Sequence, residues 1–471
     1  PAWAEEATCS ITAPNNGHTY EVYQIFTGTL SENNGTKVLS DIKWGKNGTN
    51  GDTAVTEGDS VPETVLNDIT RVATKPDSEK LAVIEKYVNL KGEKFTTVNS
   101  GTTENVPAGY YLIKDADNSY NDKHDAYTQF IVEVAGKVIF QPKTDYPTVE
   151  KKVKENSKET GTTGDYGEKY NDVADYSIGD AVPFKLIGSV PDMSQYSTSY
   201  KYTFHDTLAN SLKAPDKADV KVYMSSNKAG SGKQDITSNF TVTVSGQEIT
   251  VHTEDLKAID GISAGKYILV EYSAVLNSNA AINNDNVADT DKGNINKVYL
   301  TYSNNPRNES EAGKTPEDTV IVFTYKIEAT KVDGETSKEL QGVTFRIYKM
   351  SGDDKLYAQV AEGKLKDWIT TADDNCVLTS GKDGKFSLAG LDDGTYFIEE
   401  INPLPGYNSI DPVEIQVNGK TNNGQDGNGA TSELTSVTFT VGGKTENAIT
   451  IVNNAGTTLP STGGMGTTVF Y

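Results

Sequence analysis

The sequence contains very little cysteine and no long hydrophobic run. Of its 471 residues only two are cysteine, Cys9 and Cys376. They lie near opposite ends of the chain, so we expect no disulfide between them, and two cysteines cannot build a structural zinc site. No segment approaches the ~20 consecutive apolar residues that a membrane-spanning helix requires. If such a chain works outside the cell, something other than disulfides must stabilise it.

Histidine and the motifs of common enzyme classes are also scarce. The chain has four histidines and lacks H-E-x-x-H, G-x-S-x-G and a phosphate-binding glycine loop, so we expect no enzyme. Its 43 basic and 66 acidic residues give a net charge of −23, which argues against nucleic acid as a partner. The Asn- and Asp-rich segments 277–294 and 418–431 do not match the EF-hand spacing. We therefore expect solvated loops there, with no metal and no other cofactor.

Helical periodicity is rare, whereas short alternating strands are common. One helix is predicted from Asp77 to Leu90, with Ser78 as its cap. The 42 glycines supply turns between the strands. Clear strand patterns occur at 128–135, 219–224, 241–245, 266–276, 297–302 and 343–349.

The strands fall into three blocks with polar or proline-containing junctions. Residues 1–4 are expected to be a signal-peptide remnant, in which Ala2 and Ala4 are the small residues of a cleavage site. Domains at 5–143, 144–324 and 325–454 follow, and 455–471 form a linker and tail. We predict a mainly β protein with three tandem immunoglobulin-like β-sandwiches in an elongated array.

The tail carries the pattern of a sortase sorting signal, L-P-x-T-G, formed by Leu459, Pro460, Ser461, Thr462 and Gly463. In sortase chemistry a cysteine thiolate attacks the carbonyl of the threonine and expels the glycine as an amine. The proline fixes the local backbone, and the glycine leaves it open to the nucleophile. A complete signal continues into a hydrophobic span and a basic tail, so we expect that span to be absent or trimmed here.

These features, with further motifs in the second and third blocks, resemble the sortase-assembled major pilins that form the shaft of pili in Gram-positive bacteria. The third block resembles a collagen-adhesin B-type domain, and its string from Gly394 to Glu400 resembles the E-box of that family. The other matching strings are Pro147–Lys151, His205–Leu208, Tyr302–Pro306, Lys331–Asp333, Leu340–Phe345 and Pro405–Tyr407.

The resemblance implies that a lysine and an asparagine side chain condense within a domain, assisted by a buried Asp or Glu. The reaction needs a desolvated lysine whose pKa is low enough to leave a neutral amine. It also needs a carboxyl whose pKa is raised by burial, so that it can donate a proton to the amide oxygen. All three side chains must therefore point into one apolar core.

Strand parity selects the residues of the third block. Lys331, Glu400 and Asn453 each alternate with apolar residues, so a period of two places each on the apolar face of its strand. Glu399 would lie on the opposite face. We therefore expect a Lys331–Asn453 bond assisted by Glu400.

The same reasoning applies to the second block. Parity favours Lys151 over Lys152 and Asn304 over Asn305, although the choice between these neighbours stays open. Asp206 follows an aromatic strand and matches the assisting acid of the family.

The first block has Asp115 in an E-box-like string, but its last strands, 128–140, contain no asparagine. We therefore expect no isopeptide bond there, unless an Asn or Asp elsewhere serves.

Related pilins also carry a Tyr-Pro-Lys motif at the end of their first domain, where the lysine accepts the next subunit. Here Gln141, Pro142 and Lys143 occupy that place, so Gln141 departs from the motif. The proline should end the strand and leave Lys143 exposed. Lys143 is therefore the expected sortase acceptor.

The leading hypothesis is a structural, non-enzymatic subunit of a secreted pilus anchored to cell-wall peptidoglycan. Its partners would be sortase, identical subunits joined head to tail, accessory tip and base pilins, and a possible host surface ligand. The alternative is a monomeric wall-anchored adhesin that binds a host ligand and makes no use of Lys143.

Overall fold

The computed structural model describes residues 9–120, 124–156, 165–286, 293–422 and 433–457. The signal-peptide remnant and the sorting signal lie outside these ranges. Within them the chain forms three successive β-rich regions, so the mainly β fold predicted from the sequence is confirmed. No helix in the described ranges is long and apolar enough to cross a membrane.

The first region places one sheet between a smaller sheet and two helices. The larger sheet has the order β3-β2-β8-β9, with β6 also paired to β2, and the smaller has the order β10-β1-β7. Alternate residues of β2 pack toward the smaller sheet or toward the helices. The elements are β1 Ser10–Thr12, β2 Thr19–Asn33, β3 Thr36–Trp44, β4 Thr49–Asn50, β5 Thr53–Ala54, α1 Glu63–Val72, α2 Asp77–Ile84, β6 Thr96–Asn99, β7 Thr103–Asn105, β8 Gly109–Asp115, β9 Gln129–Val134 and β10 Lys137–Ile139.

The helices differ from the prediction. α2 ends at Ile84, because the chain turns through a short 3₁₀ segment and the backbone of Asn89 then donates to Asn47 O at 2.7 Å. Ser78 does not cap this helix, which begins directly after Pro76. Helix α1 was not predicted.

The second region is a sandwich of two seven-stranded sheets around one large core. One sheet has the order β12-β11-β14-β21-β17-β18, with β16 on β21. The other has the order β13-β24-β22-β15-β20-β19, with β23 on β22. The strands are β11 Val149–Lys154, β12 Tyr170–Asn171, β13 Val173–Asp175, β14 Ala181–Ser189, β15 Tyr202–Leu208, β16 Leu212–Lys213, β17 Lys221–Ser225, β18 Gln234–Asp235, β19 Thr241–Ser245, β20 Glu248–Thr253, β21 Tyr267–Leu276, β22 Asn294–Ser303, β23 Ala312–Lys314 and β24 Asp318–Phe323.

The third region is built on one eleven-stranded sheet that wraps around its own core. Its order is β34-β33-β32-β31-β26-β27-β28-β30-β25-β35, with β29 on β26. The strands are β25 Tyr325–Asp333, β26 Thr344–Ser351, β27 Asp354–Ala361, β28 Lys364–Ile369, β29 Leu378–Thr379, β30 Lys385–Leu391, β31 Gly394–Asn402, β32 Val413–Asn422, β33 Glu433–Val441, β34 Lys444–Glu446 and β35 Ile449–Asn453.

The second and third regions share a packed boundary. Ile321 and Phe323, at the end of β24, pack with the core of the third region. The Tyr325 hydroxyl donates to Asp175 Oδ2 at 2.9 Å, and the backbone N–H of Asp392 donates to Ser177 Oγ at 2.9 Å. Cys9 and Cys376 are both buried and carry free thiols.

Candidate functional sites: buried lysines facing acid and amide side chains

In the third domain, Lys331 meets Glu400 and Asn453 in the core. Strands β25 and β35 run parallel with Lys331 opposite Ile451, and β31 brings in Glu400. Lys331 Nζ donates to Asn453 Oδ1 and lies 3.1 Å from Glu400 Oε2, while Asn453 Nδ2 donates to the same Oε2 at 2.9 Å. One carboxylate oxygen therefore contacts both the amine and the amide nitrogen.

The surroundings of Lys331 favour its neutral form. Its side chain is fully buried, and the ring of Phe345 lies 5.6 Å from Nζ. Burial lowers the pKa of Lys331, although the hydrogen bond and charge of Glu400 oppose that effect. Glu399 points elsewhere and accepts a hydrogen bond from Arg346 at 2.8 Å. The three residues selected by parity are thus the three that the fold brings together.

In the second domain, the predicted lysine and acid also meet. Lys151 Nζ lies 2.5 Å from Asp206 Oδ1, and both side chains are fully buried between the sheets. Burial is the main cause that lowers the pKa of Lys151 and raises the pKa of Asp206, against their mutual attraction. Lys152 lies on the opposite face of β11, where it pairs with Asp172 at 2.6 Å.

The structure does not bring the predicted amide, Asn304, to Lys151. Asp206 is paired with Val298 in the register of β15 and β22. Asn304 is six positions further along, which at ~3.3 Å per residue is roughly 20 Å away. Asn296 is only two positions before Val298 and is therefore the nearer asparagine to Asp206 in this register. Parity could not distinguish the two asparagines, because both lie on the same face of β22 as Val298. Only the pairing register of β22 with β15 distinguishes them.

Asn296 contacts the pair through Tyr272, a residue that the sequence did not indicate. Asn296 Nδ2 donates to the Tyr272 hydroxyl at 2.7 Å, and that hydroxyl donates to Asp206 Oδ2. Lys151 Nζ lies 3.1 Å from the same hydroxyl. Asn296 is fully buried, and its Oδ1 has no hydrogen-bond partner among the described residues. Tyr272 reads as an ordinary core tyrosine in the sequence, and no local signal distinguishes it.

The Asn304-Asn305 pair instead lies where the second domain touches the first. The backbone N–H of Tyr127 donates to Asn304 O at 2.7 Å. Asn305 Nδ2 donates to the Tyr120 hydroxyl at 2.7 Å, and that hydroxyl donates to Glu311 Oε2 at 2.5 Å. The Tyr302–Pro306 string therefore holds the first domain against the second.

The first domain has a different arrangement around its E-box-like acid. Asp115 is buried and accepts from His18 Nδ1 at 2.6 Å and from the Thr128 backbone at 2.7 Å. The second ring nitrogen of His18 contacts Asp125. A histidine therefore faces Asp115 where a lysine faces the acid in the other two domains.

His18 should stabilise the first domain most at neutral and acidic pH. Burial alone would lower its pKa, but hydrogen bonds and charge from Asp115 and Asp125 outweigh burial and raise the pKa from 6.5 to about 9. Because the folded pKa is the higher one, the stabilisation is complete below pH ~6.5 and is lost as the pH rises through ~9. We expect His18→Gln to cost roughly 2 kcal/mol of unfolding free energy at pH 6 and far less near pH 10. Chemical denaturation at both values tests this, with His252→Gln as the control, because the ring of His252 contacts Glu254 nearer the surface. An equal loss at both pH values would contradict the assignment.

Lys143 is exposed, as expected. Its side chain is 82% accessible, and Nζ lies 3.0 Å from Asp77 Oδ2 at the start of α2. It follows β10 in the segment that leads to the second domain. Near the end of the described residues, Ala455 pairs with Tyr407.

Part of the chain matches a known protein family by sequence. Residues 325–429 match the family described as SpaA, a prealbumin-like fold domain. The chain is 24% identical over 330 residues to the trypsin-resistant surface T6 protein of Streptococcus pyogenes serotype M6. That match covers 64% of this chain and 52% of the relative, so it spans about half the length of the curated protein.

One solved structure shows the same fold over nearly the whole chain. The T6 backbone pilin of serotype M6 Streptococcus pyogenes, described as a modular three-domain structure, superimposes with a TM-score of 0.53 at 15% identity, covering 97% of this chain and 100% of that one. The major pilin SpaD from Corynebacterium diphtheriae covers 97% and 99% with a TM-score of 0.46 at 17% identity. The predicted resemblance to the major pilins of Gram-positive bacteria is thus confirmed, by sequence in the SpaA-type domain and by fold along the chain.

Proposed function

We propose that this chain is the structural subunit of a covalent pilus on the surface of a Gram-positive bacterium. The observation that carries the proposal is the buried contact of Lys331 with both Glu400 and Asn453, because it brings together the desolvated amine, the acid and the amide that the condensation requires. In this proposal Lys331–Asn453 and Lys151–Asn296 form intradomain isopeptide bonds, assisted by Glu400 and Asp206. The electrophile of the second domain is Asn296, in place of the Asn304 predicted from sequence.

Sortase would join the subunits in the proposed fibre. The enzyme forms an acyl intermediate at Thr462 and releases Gly463, and the Lys143 amine of another subunit resolves that intermediate. The exposure of Lys143 supports this role, since an acceptor amine must reach an enzyme-bound thioester. The last subunit would pass to cell-wall peptidoglycan, and tip and base pilins would complete the assembly.

The two intradomain bonds would lie directly on the path of tension in such a fibre. Force that enters at Lys143 reaches Lys151, crosses to Asn296 and continues along the chain to Lys331. It then crosses to Asn453 and leaves through the sorting signal. The segments 152–295 and 332–452 would be bypassed, and so would everything before Lys143. A first domain without a covalent cross-link fits this path, because it carries no load.

Replacing Lys143 should abolish polymer formation. With a purified pilus-type sortase, the unsubstituted chain is expected to give a ladder of covalent oligomers on denaturing gels. Lys143→Arg should give none, because an arginine stays protonated and cannot act as the nucleophile. Lys137→Arg, at an exposed lysine on β10, is the matched control and should polymerise normally.

This experiment also separates the pilus from the wall-anchored adhesin. An adhesin uses the sorting signal once, for anchoring, so sortase would release the segment after Thr462 without forming oligomers. Oligomers that persist in Lys143→Arg would show that another lysine is the acceptor and would contradict this part of the proposal.

A further inference from the structure

The two buried sites differ in how the acid reaches the amide nitrogen that must leave. In the third domain Glu400 Oε2 lies 3.1 Å from the Lys331 amine and 2.9 Å from Asn453 Nδ2, so one oxygen serves both. In the second domain Asp206 is shorter by one methylene and contacts the amine at 2.5 Å. Its link to the amide nitrogen runs through the hydroxyl of Tyr272.

We propose that Tyr272 is a catalytic residue of the second-domain condensation, in which its hydroxyl relays a proton from Asp206 to the departing nitrogen of Asn296. This inference rests on the proposed Lys151–Asn296 bond. The hydroxyl contacts all three reacting groups: it donates to Asp206 Oδ2, accepts from Asn296 Nδ2 at 2.7 Å and lies 3.1 Å from Lys151 Nζ. Tyr272 and Asp206 together would do the work that the longer Glu400 does alone.

The step balances without any outside reagent. The neutral amine of Lys151 adds to Cγ of Asn296, and the carbonyl π electrons move to Oδ1. As Cγ becomes tetrahedral, the lone pair of Nδ2 is freed and can accept a proton. In the reactive form Asp206 carries its proton on Oδ2 and donates it to the Tyr272 oxygen, the reverse of the hydrogen bond in the structure. Nζ passes one proton to Asp206 Oδ1, Oδ2 passes its proton to the Tyr272 oxygen, and the Tyr272 proton goes to Nδ2. The Cγ–Nδ2 bond then breaks, ammonia leaves, and the new amide remains with the side chains of Asp206 and Tyr272 restored.

The environment of Tyr272 suits a relay better than an independent acid. The tyrosine is buried, and burial together with the charge and hydrogen bond of Asp206 raises its pKa well above its ordinary value. It therefore does not give up a proton unless it receives one at the same time, which the carboxyl of Asp206 can supply. Its ring also lies 5.4 Å from Lys151 Nζ and helps to exclude water from the amine.

The test follows bond formation in newly made protein. Chains from a short pulse of synthesis are sampled over time, digested, and scored by mass spectrometry for the linked peptides Lys151–Asn296 and Lys331–Asn453. Tyr272→Phe is expected to slow the first link by about 100-fold, the lower end for a lost proton transfer. The second link, in the same molecules, should form at its normal rate and show that the chain has folded. Tyr202→Phe removes another fully buried hydroxyl of this domain, which donates to Ser189 O, and should not slow either link.

A rescue variant distinguishes a proton-relay role of Tyr272 from a packing role. In the double variant Asp206→Glu with Tyr272→Phe, the longer carboxylate can reach Asn296 directly, so the rate should recover at least 10-fold. A wild-type rate in Tyr272→Phe alone would overturn the inference. Slow formation that Asp206→Glu does not improve would assign Tyr272 a packing role and would overturn the relay. Absence of the Lys151–Asn296 link in the unsubstituted chain would instead contradict the proposed bond itself.

Discussion

Glu400→Ala is expected to yield a third domain that folds without its Lys331–Asn453 bond. The variant removes the only side chain that contacts both the amine and the amide nitrogen among the described residues. The two ends of the missing bond are 122 positions apart, and opening a loop of this length should cost roughly 4–5 kcal/mol by analogy with disulfides. We therefore expect the melting temperature of this domain to fall by on the order of 10–20 °C.

Calorimetry and intact mass measure this effect together. After correction for the substitution, the Glu400→Ala chain should be heavier than the unsubstituted chain by one ammonia, because the bond that releases this ammonia does not form. Glu399→Ala is the matched control, because its carboxylate faces the other way and pairs with Arg346. It should keep the bond and most of the stability. Equal masses and equal melting temperatures in the two variants would show that Glu400 has no specific role in forming the Lys331–Asn453 bond.

Asn296→Ala should remove the cross-link of the second domain, whereas Asn304→Ala should leave it in place. Asn296 shares hydrogen bonds with the Tyr272 that contacts Lys151, whereas Asn304 lies at the end of β22 against the first domain. The Asn296→Ala chain should release one ammonia fewer than the unsubstituted chain. The melting temperature of its second domain should fall by an amount similar to that expected for the third domain in Glu400→Ala.

Asn304→Ala should keep both ammonia losses. Alanine keeps the backbone carbonyl that accepts the N–H of Tyr127, and the Asn304 side chain has no hydrogen-bond partner among the described residues, so the junction with the first domain should stay intact. Unchanged amide exchange at Tyr127 would report that. Loss of the second-domain link in Asn304→Ala but not in Asn296→Ala would restore the assignment predicted from the sequence.

Parity alone selected the three residues that the fold brings together in the third domain, because each of them alternates with apolar neighbours on a strand. A period of two is a strong constraint when one face is buried, and it assigned Glu400 and Glu399 to opposite faces. The same rule was insufficient in the second domain, where Asn296 and Asn304 share a face. Only the pairing of Asp206 with Val298, a contact between distant segments, distinguishes them.

Other features depended on contacts that have no local signal. Tyr272 lies in the same sheet as Lys151 and meets Asp206 and Asn296 across the sandwich, and His18 meets Asp115 from 97 positions away. The early end of α2 follows from backbone pairing of Asn89 with Asn47, which overrides the helical periodicity up to Leu90. In each case tertiary pairing determined the outcome.

The most direct test of the whole account is the intact mass of the purified chain, followed by peptide mapping of its cross-links. We expect a mass lower than the sequence value by two ammonia molecules, with one link between Lys151 and Asn296 and the other between Lys331 and Asn453. We expect no link in the first domain. A mass equal to the sequence value would show that these buried lysines do not form covalent bonds.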